Sequence, residues 1–124
     1  MRIYNGLTLF AASDLINFTG CRHATFLDLR FLNDPQPQET DPQAELLQQK
    51  GLDHERAFLA TLSKQLRTIV SIPSTYGLDE RINDTRRAMH NGTDVIYQGA
   101  LLDAPWHGYA DFLLRVDRHQ VVTT

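Results

Sequence analysis

Residues 94–117 constrain this chain more than any other stretch: Asp94-Val-Ile-Tyr-Gln-Gly-Ala-Leu-Leu-Asp-Ala-Pro-Trp-His-Gly-Tyr-Ala-Asp-Phe-Leu-Leu-Arg-Val-Asp117. Val95 to Leu102 is rich in β-branched, aromatic and aliphatic residues, the composition of a strand. Asp103-Ala104-Pro105 is turn chemistry. Trp106 to Val116 is a second apolar run of strand type. A hairpin is therefore predicted, and one residue does not fit its buried face. Asp111 stands between Ala110 and Phe112, with Leu113 and Leu114 just beyond. An unpaired buried carboxylate is very costly. Asp111 must either face solvent from an edge strand or find a partner, and a metal ion is one such partner.

The chain has 124 residues, enough for one modest domain with its own core. No apolar run reaches the ~18–20 residues of a transmembrane helix, so no membrane partner is expected. Met1 to Phe10 lacks the long apolar segment and small-residue cleavage site of a secretion signal. A single cysteine, Cys21, excludes an internal disulfide framework and suits a reducing, cytoplasmic setting. The formal charge of −3 leaves no global basic field, so any nucleic-acid contact has to come from local arginines.

Along the chain, Asn5-Gly6 marks a turn within a short N-terminal strand pair. Ser13 is a helix N-cap candidate with Asp14 in the first turn. Thr19-Gly20 is expected to break or bend that helix, and a second one runs from about Cys21 to Leu32 before the polar loop of residues 33–41. Asp41-Pro42 restarts a helix, with Asp as N-cap and Pro at the first helical position. It is predicted to run to about Leu66. At about 100° per residue, Ala44, Leu47, Leu52, Phe58, Leu59, Leu62 and Leu66 fall within an arc of roughly 140°. Glu55 lies near the middle of that arc and His54 at its edge. Thr68 to Ile72 reads as a strand, and Leu78 to His90 as a helix closed by Asn91-Gly92. The arginines at 81, 86 and 87 are expected on its solvated face. Gln120 to Thr124 resembles the start of one more strand, and a chain ending there is expected of a fragment.

Carboxylates and imidazoles are suitable ligands for a divalent metal. A helix packed on the hairpin could bring Glu55 or His54 to Asp111. Each residue also has a plain structural role open to it: solvent exposure, or for Asp111 a salt bridge to Arg22 or Arg56. His90, His107 and His119 are too scattered to make a metal motif, and Asp103 is accounted for by its turn. No phosphate-cradling glycine loop or nucleophile elbow is present.

Four blocks carry a resemblance: Ser13 to Leu29, Gln49-Lys-Gly-Leu-Asp-His-Glu-Arg56, Asp94-Val-Ile-Tyr-Gln-Gly-Ala-Leu101 and Gly108-Tyr-Ala-Asp-Phe-Leu113. In this order they resemble the RecB-like nucleases of the PD-(D/E)xK superfamily, and among these the bacterial putative RecB-family nucleases. The resemblance implies a restriction-endonuclease-like α/β fold, a mixed sheet flanked by helices. Here it would form a single incomplete domain over residues 1–124, truncated before the end of its core, with N-terminal helices over 13–66 and strands and a helix over 68–124. The resemblance also implies hydrolysis of DNA phosphodiesters with Mg2+ or Mn2+, in repair, recombination or defence. Asp111 takes the place of the first metal-binding acid, and Glu55 or His54 that of the helix ligand. Such a cation polarises the phosphate and lowers the pKa of an attacking water.

The sequence departs from the family where its second acid and lysine should follow as acid-x-Lys. The only lysines, Lys50 and Lys64, lie far upstream, and Asp117-Arg-His119 lacks one. Removing one electrostatic group of this kind costs about 10²–10³ in rate, so the chain alone is expected to be inactive or nearly so. Some relatives hold an iron–sulfur cluster through one early cysteine and three late ones. Cys21 matches the early one, and without the others no cluster of that pattern can form. The expected partners are DNA and a missing C-terminal part of the same protein. The competing expectation is a non-catalytic remnant of the fold that binds nucleic acid or protein.

Overall fold

The computed structural model describes residues 1–65 and 67–116. Over these residues the chain forms β1 (Arg2–Tyr4), β2 (Leu7–Leu9), α1 (Ala12–Gly20), α2 (Arg22–Arg30), α3 (Pro42–Lys64), β3 (Ile69–Ser71), α4 (Leu78–His90), β4 (Val95–Asp103) and β5 (Trp106–Leu114). The class is mixed α/β. β1 and β2 form an antiparallel ribbon, and the second sheet has the order β3-β4-β5. Leu66 and the strand predicted at the C-terminus lie outside the described residues. None of the described helices is long and apolar enough to cross a membrane. The chain divides into two compact units, Met1–Leu52 with Leu101–Gly108, and Asp53–Ala100 with Tyr109–Thr124.

In the first unit, Asn5 and Gly6 take φ of 48° and 76°, the left-handed pair that a two-residue hairpin turn needs. Leu9 is fully buried. Phe10 then joins the strand end at Trp106: its N–H donates to the Pro105 carbonyl (2.8 Å), and the His107 N–H donates to the Phe10 carbonyl (2.9 Å).

The expected cap at Ser13 is corrected to Ala11, two residues earlier. Alanine has no side-chain acceptor, and Asp14 supplies it from the third helical position. Its carboxylate accepts the Ala11 N–H at 2.7 Å and the Met1 ammonium at 2.8–3.0 Å. A carboxylate reaching back to the cap in this way satisfies an otherwise orphaned donor and favours the positive end of the helix. The break between α1 and α2 falls at Cys21, whose backbone is extended, so α1 runs through Thr19-Gly20 before it stops. Asp41 does cap α3, accepting the Gln43 N–H at 2.9 Å.

The apolar stripe predicted for α3 is only partly covered. Residues 41–54 are all exposed, and Leu47 retains 70% of its surface. Leu59 is half-buried and Leu62 buried. Periodicity says which side chains share a face; whether another layer covers that face depends on the rest of the chain.

The second unit is organised by β3, α4 and β4. β3 and β4 run parallel, with Ile69 opposite Val95, Val70 opposite Ile96 and Ser71 opposite Tyr97, so α4 is the crossover between them. β5 follows β4 after Ala104-Pro105 and lies beside it, as a hairpin. Leu78, Arg81, Ile82, Thr85 and Ala88 recur at helical spacing and are the buried face of α4. Ile72, Ala88 and Ile96 form a buried cluster, with Val70 and Leu113 packed on it. Arg81 thus departs from the solvated face expected of it, while Arg86 and Arg87 remain exposed. Asn91 and Gly92, with φ of 70° at the glycine, end α4 as predicted.

Thr85 joins helix to sheet. Its hydroxyl donates to the Arg81 carbonyl (2.7 Å) and accepts the buried Ala100 N–H (2.9 Å). Thr85→Val keeps the shape but leaves that N–H unsatisfied, so it should cost about 1–3 kcal/mol in denaturant unfolding, and Thr85→Ser should recover much of the loss.

Two groups of the first unit make stability depend on pH. His107 is held below its ordinary value by burial first, then by Arg2 and the terminal ammonium. For Asp14, burial pushes the carboxyl up. The Ala11 N–H and the terminal ammonium together outweigh that, and the net direction is down. In both cases the unfolded chain binds more protons, so stability rises with pH and is lost as pH falls. The His107 contribution should begin to be lost as pH falls through its unfolded value of 6.5, and the Asp14 contribution below 3.8. Thermal melts between pH 8 and pH 3 should show both losses, with His107→Gln removing the upper one.

Candidate metal centre

The residues of interest all belong to the second unit. Glu55 is on α3 and half-buried; Asp111 is on β5 and exposed. As the last strand in the order β3-β4-β5, β5 is an edge strand among the described residues, so the Asp111 carboxylate reaches solvent without being buried. The two acids are joined through Gln98. The Gln98 side-chain amide donates to Glu55 Oε2 at 3.1 Å and to Asp111 Oδ1 at 3.2 Å. The carboxylate oxygens are therefore held within two hydrogen-bond lengths of each other. An amide NH2 carries two protons and can serve both acceptors at once. The flipped amide would aim an oxygen at two carboxylates, so the donor orientation is the one the chemistry requires.

Tyr97 adds a further bond, its hydroxyl donating to the same Glu55 Oε2 at 3.1 Å. Burial, and next the Glu55 carboxylate beside it, push the Tyr97 pKa up, which keeps the phenol protonated as a donor. An aromatic cluster supports the group. Phe112 meets Phe58 edge-on at 4.8 Å between ring centres and Tyr97 at 5.2 Å. These contacts fasten α3, β4 and β5 to one another beside the two acids.

Tyr97 and Gln98 are consecutive strand residues, yet both reach Glu55. In a regular strand neighbouring side chains point to opposite faces. The exception is made at Gln98, whose φ of 59° lies in the left-handed region. A non-glycine residue there costs of order 1–3 kcal/mol unless its surroundings hold it. They do so on both sides. Before it, the Tyr97 carbonyl accepts the Ile72 N–H at 3.0 Å, just beyond the end of β3. At Gln98 itself, the carbonyl accepts from Arg81 Nη2 at 3.3 Å. The Arg81 guanidinium lies 3.9 Å from the centre of the Tyr109 ring, a close cation–π contact. These two contacts hold the guanidinium of the buried arginine in α4, whose Nε is buried without a hydrogen-bond partner.

Of the predicted site residues, Glu55 and Asp111 come together. His54 is exposed and joins neither acid by a hydrogen bond or ion pair. Cys21 is exposed in the first unit, between α1 and α2. The nearest ion-pair partner shown for Arg56 is Asp53, at 4.0 Å, and not Asp111. Among the described residues no group of three His, Cys, Asp or Glu side chains converges as a metal cage. An exposed carboxylate beside a half-buried one does fit a hard divalent cation, since Mg2+ is commonly held by one or two carboxylates and keeps several waters. Gln98 and Arg81 had no functional role in the sequence reading. The available signal was a polar Gln98-Gly99 pair inside an apolar strand, which marks a place where alternation can fail.

No family model matches the chain, and neither the curated proteins nor the solved structures compared with it include a match.

Proposed function

We propose that the chain is part of a metal-dependent DNA nuclease domain of the RecB-like kind, with Glu55 and Asp111 as the carboxylates that hold Mg2+ or Mn2+. The observation that carries this reading is the convergence of these two acids, from a helix and from the edge of a sheet, on one amide. Both positions belong to the blocks that resemble the family. The bound cation would supply a Lewis acid for the phosphodiester and a more acidic water. The residues themselves provide negative charge at a solvent-open strand edge, fixed by Tyr97 and Gln98. His54 remains a candidate ligand or proton carrier beside Glu55, on resemblance alone. DNA is the proposed partner, and Arg86 and Arg87, exposed on α4, are available to phosphates.

The missing acid-x-Lys limits what this chain can do alone. Without a lysine near the scissile phosphate, cleavage should be slower by about 10²–10³ than in a complete site. The same absence favours the second reading, a non-catalytic remnant that binds nucleic acid or protein.

Calorimetric titration with Mn2+ is the direct test. The folded chain should bind saturably, and Asp111→Ala and Glu55→Gln should each weaken binding at least about tenfold. Nicking of supercoiled DNA should be slow, Mn2+-dependent and lost in Asp111→Ala. A folded chain that binds no Mn2+ overturns the metal reading. Mn2+ binding and DNA binding without nicking would move the conclusion to the remnant.

A further inference from the structure

Gln98 belongs neither to the carboxylate pair nor to the hydrophobic core, yet much of the second unit is arranged around it. Its backbone is left-handed at φ 59°, the one such conformation outside a turn among the described non-glycine residues. That conformation turns its side chain to the side already used by Tyr97. Its amide is the group within hydrogen-bond distance of both Glu55 and Asp111. Its carbonyl is held by Arg81, itself buried and seated on Tyr109. Gly99 follows with close packing: a Cβ there would lie 2.9 Å from Leu113 Cδ1 and 3.3 Å from Thr85 Cγ2. A substituent at 99 would oblige the Leu113 side chain to shift and would crowd Thr85, so glycine suits the close packing beside the turned residue.

A glutamine with no task at this position would relax to the β region, where a side chain costs least. The strain is retained because three contacts use it. Two carboxylates brought together repel each other, and a neutral double donor between them offsets this without adding charge. It keeps both acids aimed at one place, as a hard cation requires of its oxygen ligands.

We infer that Gln98 is a positioning residue for the metal centre. Its bridging amide, set by the left-handed backbone that Arg81 and Tyr109 hold, keeps Glu55 and Asp111 converged and so sets the affinity for the divalent ion. This rests on the metal reading above and names a residue that acts through the two acids.

The test is a Mn2+ titration of the full chain and of two variants, with melting temperatures measured in EDTA. Gln98→Gly keeps the left-handed backbone at no steric cost and removes the side chain with its amide. Gln98→Met keeps side-chain length without the donors. A role in metal positioning predicts that Gln98→Gly melts near the parent chain yet binds Mn2+ about 10–100-fold more weakly, the usual effect of losing a group that orients a ligand. Gln98→Met should weaken binding similarly. In the parent chain, the Gln98 side-chain NH2 resonances should shift when Glu55→Gln or Asp111→Asn is introduced, in the absence of metal. Parent-like Mn2+ affinity in a folded Gln98→Gly overturns the inference and leaves the metal reading standing. Absence of Mn2+ binding in the folded parent chain overturns the metal reading and the inference with it. A variant that loses stability but not affinity assigns Gln98 to the fold alone, which also overturns it.

Discussion

The second unit depends on one turned residue in a strand. If Gln98 kept the alternation of β4, its side chain would leave Glu55 and Asp111, and the Arg81 guanidinium would lose the carbonyl it serves. The surrounding features follow from that requirement. Arg81 can be buried because it has a carbonyl on one side and an aromatic face on the other. Gly99 packs closely there, where a Cβ would meet the side chains of Leu113 and Thr85. Thr85 takes up the Ala100 N–H just beyond. Each bond of this network matters, since a buried donor left alone loses its full solvation.

The electrostatics of the two acids follow from where they sit. Asp111 is on an edge strand and keeps its access to water, so it avoids the desolvation that a charged residue inside an apolar run would suffer. Glu55 is half-buried and draws on two donors, the Tyr97 hydroxyl and the Gln98 amide. The result is a patch of negative charge with fixed geometry and an open side. That arrangement suits a hydrated divalent ion better than a fully enclosed one. The sequence places both lysines well before the hairpin.

The first unit is held by a different principle. It buries little, with Leu9 as its fully enclosed residue and many apolar side chains of α1 and α2 left exposed. Its order comes from local bonds: a tight turn at Asn5-Gly6, the bridge between Phe10 and Trp106, and the Asp14 carboxylate tying the chain terminus to the start of α1. Because these ties involve ionisable groups, acid loosens this unit through Asp14 and His107.

Local chemistry in the sequence was enough for the elements whose cause is local. Asp41-Pro42 starts a helix because a carboxylate and a fixed φ suit its first turn, and Asn91-Gly92 ends one because glycine accepts the left-handed backbone. The hairpin around Asp103-Ala104-Pro105 is legible for the same reason, as is the choice of Asp111 as the residue out of keeping with its strand. Other outcomes turn on what lies opposite a residue. The α3 stripe gives shared faces but not cover, so Leu47 and Leu52 were expected inside and stand exposed. Arg81 reads as a surface arginine until a carbonyl and a tyrosine ring from distant positions meet it. Glu55 and His54 could not be separated by sequence, and only packing against β4 and β5 turns Glu55 toward the amide. The amino-acid sequence by itself determined which segments become helix and strand and which carboxylates are candidates. Tertiary structure alone decided that Gln98 joins two of them, because a left-handed residue in a strand is tolerated only when contacts far along the chain hold it there.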